Sequence, residues 1–202
     1  MKEEVTKHIF YRLEKRLLDI VLSAILFILS IPFLIVFSIW IFIETGHFPV
    51  YSQKRGLVLE KNMFRLYKIR TLKGTNQKQL NSIDIFIKDG LEEFVTPLGR
   101  WLRKTGLDEL PQLFNVLKGE MSLIGPRPPI PKEVEKYERW QLRRLSVKPG
   151  ITCTWQIIPN RNEVVFDKWM KLDIQYIENW SLKKDLELFF KTIKTLFLGT
   201  GY

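Results

Sequence analysis

The sequence predicts an α+β fold that is mostly helical: an N-terminal apolar helix–break–helix, then a small domain of short strands and amphipathic helices. Three observations carry this expectation. Ile20 to Ile43 runs for 24 residues without a charge, and Pro32 lies near its middle. Short alternating segments at Pro49–Ser52 and Phe64–Thr71 read as strands. Beyond them, apolar residues recur at helical spacing, in Leu110, Leu113, Phe114 and Leu117 and again after Ser181.

Composition narrows the class. A chain of 202 residues is long enough for one domain with a real core. Its formal charge of +10 calls for an anionic partner: nucleic acid, an anionic membrane surface or a phosphorylated substrate. One cysteine, Cys153, excludes an intrachain disulfide framework. With only His8 and His47 beside it, no zinc constellation exists.

Residues 1–19 mix both signs of charge with Ile9, Phe10, Leu13, Leu17 and Leu18 near helical spacing, consistent with an amphipathic lead-in helix. The uncharged run that follows is too long for a signal-peptide core and reads as a membrane helix. Pro32 divides it into halves of about 17 Å, each crossing about half of a hydrocarbon core. Both flanks are basic, with Lys15 and Arg16 before and Lys54, Arg55, Lys61 and Arg65 after, so the positive-inside rule wants both ends on the cytoplasmic side. A helix that enters, bends at Pro32 and leaves on the same face satisfies this, with the Ser30 hydroxyl offered to a freed carbonyl. A kinked single span fits the composition equally. The boundary falls at 47/48: an N-terminal membrane segment, 1–47, and a domain, 48–202.

The hairpin-like pair turns at Arg55-Gly56, and full extension of the second strand places Phe64, Leu66, Lys68 and Arg70 on one side. Lys73 to Asn81 is a polar loop. Thr96-Pro97 leads into a short basic helix ending in Arg103-Lys104. Thr105 followed by Asp108 fits a capping box, which starts a helix there with Asp108 and Glu109 in its first turn. An isolated motif of this kind marks a capped helix more often than a catalytic dyad. Ile124 to Pro131 holds four prolines and excludes helix or central strand, leaving a rigid turn that presents Arg127. Lys132–Leu145 has helical periodicity, Ile151–Ile158 is strand-like, and Phe166–Asn179 is helical. Ser181 begins an amphipathic helix suited either to a membrane interface or to the core of the domain.

Taken together, clustered cations, adjacent carboxylates and a membrane element point to phosphoryl chemistry at a membrane surface. A carboxylate attacks a phosphoryl group only if cations neutralise the substrate, so Lys68, Arg70, Arg103 and Arg127 are as necessary as Asp108.

The motifs Lys15-Arg16…Asp19, Gln53-Lys54-Arg55-Gly56, Tyr67-Lys68-Ile69-Arg70-Thr71, Leu107-Asp108-Glu109-Leu110-Pro111-Gln112-Leu113, Gly125-Pro126-Arg127-Pro128, Lys148-Pro149-Gly150 and Asp173…Tyr176…Glu178-Asn179-Trp180-Ser181 stand in an order that closely resembles the monotopic bacterial sugar transferases, the polyprenyl-phosphate phosphoglycosyl transferases. The resemblance implies a re-entrant membrane helix and a catalytic domain on the cytoplasmic face of the bacterial inner membrane. It also implies transfer of a phospho-sugar from a UDP-sugar to undecaprenyl phosphate with release of UMP. By the same likeness Asp108 and Glu109 are the catalytic dyad, Asp108 is nucleophile and Mg²⁺ ligand, and Lys68, Arg70, Arg103 and Arg127 bind substrate phosphate. Pro126 and Arg161 fall to nucleotide or sugar. Membrane lipid and a homodimer partner are compatible with it; nucleic acid is not expected, since it explains neither the membrane segment nor the dyad.

Four features depart from the family pattern. Ile31 separates Ser30 from Pro32, Leu72 follows Arg70-Thr71 where methionine is usual, Cys153 stands where glycine is common, and Pro159-Asn160-Arg161 replaces a Gly-Arg turn. The chain corresponds to the small form of these proteins or to a catalytic domain. A membrane-anchored basic scaffold without catalysis is the alternative that composition alone permits.

Overall fold

A computed structural model describes residues 2–56, 63–74, 92–158 and 164–198. It is mostly helical, with short strands. Helix α1, Lys2–Thr45, contains Pro32. Strands β1, Val50–Gly56, and β2, Met63–Ile69, form an antiparallel pair. Helix α2 spans Pro97–Thr105, α3 Gln112–Lys118, and β3 Ser122–Ile124. Then come α4, Pro131–Val134, β4, Gly150–Thr152, α5, Phe166–Glu178, and α6, Leu182–Leu198.

The predicted break at Pro32 is absent: α1 is one uninterrupted helix of 44 residues. Proline removes a single amide, the one that would have bonded the Ile28 carbonyl, and the apolar helix formers on either side keep their own bonds. Ser30 does not serve the freed carbonyl; its Oγ donates to Phe27 O at 2.7 Å. Both halves of α1 pack on the same body. Before the apolar run, Lys15 Nζ pairs with Asp185 of α6 at 2.6 Å, and Arg16 donates to the carbonyls of Val116 and Leu117 at the end of α3 (2.7 and 3.0 Å). Asp19 accepts from Leu123 N at 3.0 Å and from Ser122 Oγ at 3.1 Å, which anchors β3. Beyond Pro32, Phe37 and Ile41 are buried against Ile69, Leu98 and Leu102. The remaining faces of the helix, including Ile28, Phe33, Val36 and Ile43, are exposed. By length and composition, residues Tyr11–Thr45 are sufficient to cross a membrane.

The hairpin register pairs Tyr51 with Lys68, Gln53 with Leu66 and Arg55 with Phe64, so these six residues share one face. The expected turn at Arg55-Gly56 is instead the end of β1. Gly56 has φ 105° and donates its amide to Pro129 O at 3.1 Å, joining the hairpin to the proline turn. Leu66 enters the main core with Leu113, Val116, Met121, Leu123, Ile124, Tyr176 and Leu188. A bridge between Leu72 and Val95 closes the segment 75–91, most of the predicted polar loop, which lies outside the described residues.

Two further expectations are corrected. Lys132–Leu145 is not one helix: α4 ends after one turn and a 3-10 turn follows at Gln141–Ser146. Side chains compete with the helical ladder here, since Gln141 Oε1 accepts from Glu138 N at 2.9 Å and Tyr137 OH is drawn to Arg144. The strand expected over Ile151–Ile158 stops at Thr152 and gives way to a 3-10 turn, because Gln156 Oε1 accepts the Cys153 amide at 2.9 Å. Strand β4 pairs in parallel with β3, and a Cβ on Gly150 would collide with the Gly125 backbone. Helices α5 and α6 lie where the periodicity places them. Leu188 of α6 is buried in the core, the packing alternative that its amphipathicity allowed, while Leu186 and Phe190 on the same helix are exposed.

Candidate active site

Helix α2 begins at Thr96, whose Oγ1 accepts from Gly99 N at 2.9 Å, with Pro97 in the first turn. It ends at Gly106, where φ of 73° lets the chain reverse and the amide returns to Arg103 O. The chain then makes a 3-10 turn, Leu107–Glu109, before α3. The predicted capping box does not form. Thr105 is the last residue of α2, and its hydroxyl donates back to Trp101 O at 2.9 Å. Asp108 and Glu109 are thus held by a glycine-enabled corner between two helices. Leu113 is buried on α3 as its spacing predicts, whereas Phe114 is exposed and lies against Phe27 of α1, ring centroids 6.3 Å apart.

Three of the four predicted phosphate cations act on this corner. Lys68 Nζ lies 2.5 Å from Glu109 Oε1 and 3.8 Å from Asp108 Oδ2. Arg127 Nη1 lies 4.0 Å from Glu109 Oε1. Arg103 donates through Nε to Thr71 Oγ1 at 2.8 Å, and its charge reaches Asp108. Burial pushes the Asp108 carboxyl up to about 6; Lys68 draws it down, Glu109 pushes it up again, and Arg103 and Arg127 oppose that. Burial pulls Lys68 down, but Glu109 and Asp108 outweigh it and leave the ammonium firmly charged. Arg70 is placed differently: it is buried, with Nε donating to Phe48 O at 3.1 Å.

The turn that carries Arg127 is tied on every side. Gly125 N donates to Thr152 O at 3.0 Å and Gly150 N to the predicted Pro126, at its carbonyl, at 2.9 Å. Arg144 Nη2 donates to Arg127 O at 3.0 Å and is itself held by Asp173, 2.7 Å away and buried. Arg55 Nη1 donates to Pro128 O at 3.3 Å. The Arg127 guanidinium sits 6.0 Å from the Trp155 ring, which stacks on Trp169 at 4.4 Å. Arg161 lies outside the described residues. Sequence reasoning gave no role to Thr71, Arg144, Asp173 or Trp155. Thr71 and Asp173 stood inside recognised motifs, but no spacing in the chain links Arg144 to Arg127.

Asp108, Glu109 and Arg127 line a cavity of about 290 Å³, together with Leu26 of α1, Trp155, and Phe189 and Ile193 of α6. The site therefore joins a charged corner to apolar walls supplied by the long helix and the C-terminal one. Among the described residues no group of three or more metal-ligating side chains occurs. Two carboxylates, of which Glu109 is the more closely engaged by Lys68, fit Mg²⁺, which takes one or two carboxylates and completes its shell with phosphate oxygens and water.

A family profile described as bacterial sugar transferase matches residues 10–199. The chain is 39% identical over 196 residues to the galactosyl transferase CpsE of Streptococcus agalactiae, covering 93% of this chain and 43% of that protein. It is 35% identical over 203 residues to the undecaprenyl-phosphate galactose phosphotransferase of Salmonella typhimurium (94% and 42%). It is also 35% identical over 199 residues to the exopolysaccharide production protein ExoY of Rhizobium meliloti, here covering 93% of this chain and 87% of that one. The chain thus spans about two fifths of the first two relatives and most of the third.

Proposed function

The chain belongs to the bacterial sugar transferase family, and we propose that it moves a phospho-sugar from a UDP-sugar to undecaprenyl phosphate, releasing UMP, as the first membrane step of surface-polysaccharide synthesis. The observation that carries this reading is a buried carboxylate, Asp108, in a cavity lined by Arg127 and by apolar walls from α1 and α6, with Lys68 3.8 Å from the carboxylate. That combination suits a substrate pair of which one half is a diphosphate and the other a lipid.

In the proposed path an Asp108 carboxylate oxygen attacks the sugar-bearing phosphorus, the bond from that phosphorus to the bridging oxygen breaks, and UMP leaves. The phosphate oxygen of the lipid then attacks the same phosphorus, the aspartyl–phosphorus bond breaks, and the carboxylate is restored. Lys68 holds Glu109 and charges the approach to Asp108, while Arg103 and Arg127 counter the phosphate oxygens. Asp108 would hold Mg²⁺, which would supply further neutralisation of phosphate charge.

A monotopic placement at the cytoplasmic face of the inner membrane is supported by the contacts at both ends of the apolar run. Lys15 and Ile41 are about 39 Å apart along the helix, yet both touch the domain that holds the site. A helix crossing to the far side could not keep both.

The test is UMP release from a panel of UDP-sugars with undecaprenyl phosphate and Mg²⁺. Donor alone should release UMP in an amount that matches the enzyme, and acceptor should then sustain turnover. Asp108→Asn should lose both; full activity in that variant would overturn the assignment.

A further inference from the structure

Arg55 is only 5% exposed, and no carboxylate lies within ion-pair distance of it among the described residues. Its guanidinium donates to Pro128 O at 3.3 Å and to Gln53 Oε1 at 2.6 Å, both neutral acceptors. Its Nε is buried with no hydrogen-bond partner. A charge taken out of water without a counter-ion costs several kcal/mol, of order that of an entire domain's net stability. Such a group gains from any negative charge that comes to lie beside it.

Its surroundings indicate what that is. Arg55 lines a small void, about 10 Å³, with Lys68, Glu109, Gln112 and Arg127. Burial draws its guanidinium down to about 10, the neighbouring Arg127 adds to this, and Glu133 and Glu109 oppose it from a distance. Arg55, Lys68, Arg103 and Arg127 face Asp108, Glu109 and Glu133, which leaves surplus positive charge around the site.

We propose that Arg55 is a positioning residue for the phosphate-binding turn: it fixes the turn through the Pro128 carbonyl, and its uncompensated charge is neutralised when the diphosphate of the donor binds beside Arg127. This rests on the phosphoglycosyl-transfer reading. Arg55 acts from behind the turn and does not touch the reacting atoms.

The experiment uses the full chain in detergent or nanodiscs, with Arg55→Met and Arg55→Lys. Removing a buried, unpaired charge should leave the melting temperature of the free Met variant equal to or above wild type. The same variant should lose the thermal stabilisation that inorganic pyrophosphate gives wild type, and its KM for the UDP-sugar should rise on the order of tenfold, with a smaller change in kcat. Arg55→Lys, which restores the charge, should recover most of both. If Arg55→Met does not fold, Arg55→Gln takes its place against Arg55→Lys with the same readouts. A folded, uncharged variant with wild-type KM and wild-type stabilisation by pyrophosphate overturns the proposal, and so does a folded Lys variant as impaired as the uncharged one. Should wild type bind pyrophosphate through Arg55 yet show no transfer, the phosphoglycosyl reading fails and the anion site stands. Normal turnover in wild type and uncharged variant alike sinks the role of Arg55 alone.

Discussion

Asp108 and Glu109 are neighbours in the chain but are held differently. Lys68 sits 2.5 Å from Glu109 and 3.8 Å from Asp108, which leaves Asp108 the less engaged carboxylate, as its proposed role of nucleophile requires. Burial raises Asp108 to about 6, above its value in an unfolded chain. The folded protein therefore binds this proton more tightly, so the contribution of Asp108 to stability is fully present below about 4 and is lost as pH rises through about 6. Asp108→Asn should flatten that slope in thermal melts without divalent cation, and raise the melting temperature near pH 8 by a few degrees. The same substitution should lower turnover by about four orders of magnitude or more, since it removes the group that attacks in the proposed path. In wild type, turnover should decline as pH falls through about 6, because the protonated carboxyl cannot attack. A melting temperature for Asp108→Asn below that of wild type at pH 8 would show that the carboxylate stabilises the fold. At this scale the sequence singles out Asp108, Glu109, Lys68, Arg103 and Arg127 by residue type and motif, and the structure brings them to one corner. The pairing of Arg144 with Asp173 was not legible, because an ion pair between distant elements leaves no local spacing.

Among the elements, α1 owes its position to a buried polar clasp rather than to apolar contact alone. Asp185 of α6 accepts from Tyr11 OH at 2.7 Å, Lys15 Nζ at 2.6 Å and Tyr176 OH at 2.6 Å. Removing one partner of such a pair strands the other in low dielectric. Asp185→Ala should therefore cost about 3–5 kcal/mol in denaturant unfolding, and Lys15→Met with Asp185→Leu should recover much of it. A cost below about 1 kcal/mol would mean that water reaches the clasp. The helix itself was readable from composition, as were α5 and α6 from their periodicity. The capping box does not form because Gly106 adopts a left-handed conformation, and that ends α2 at the very threonine expected to begin the next helix. Lys132–Leu145 failed for a related reason: side-chain acceptors within the segment outcompete its backbone ladder.

For the whole molecule, the contacts of both halves of α1 with the domain are what support the proposed monotopic topology. Cysteines placed near Glu14 and near Lys54 should both react with an impermeant thiol reagent from the cytoplasmic side and neither from the outside. Labelling from opposite sides would refute the monotopic placement. Composition and pattern by themselves determined that the chain is mostly helical, has a membrane-scale apolar run, and concentrates cations around one pair of carboxylates. These properties are local, since charge, hydropathy and periodicity belong to contiguous residues. Tertiary structure alone decided that α1 continues through Pro32, because contacts from Lys15 to Ile41 hold both halves against one body and a single missing hydrogen bond is too weak to break them. It also decided that Lys68 belongs to Glu109, that Arg70 bonds the Phe48 carbonyl, and that two buried arginines brace the turn of Arg127. Burial and pairing across the chain depend on which surfaces meet, and that is fixed only when the whole molecule has folded.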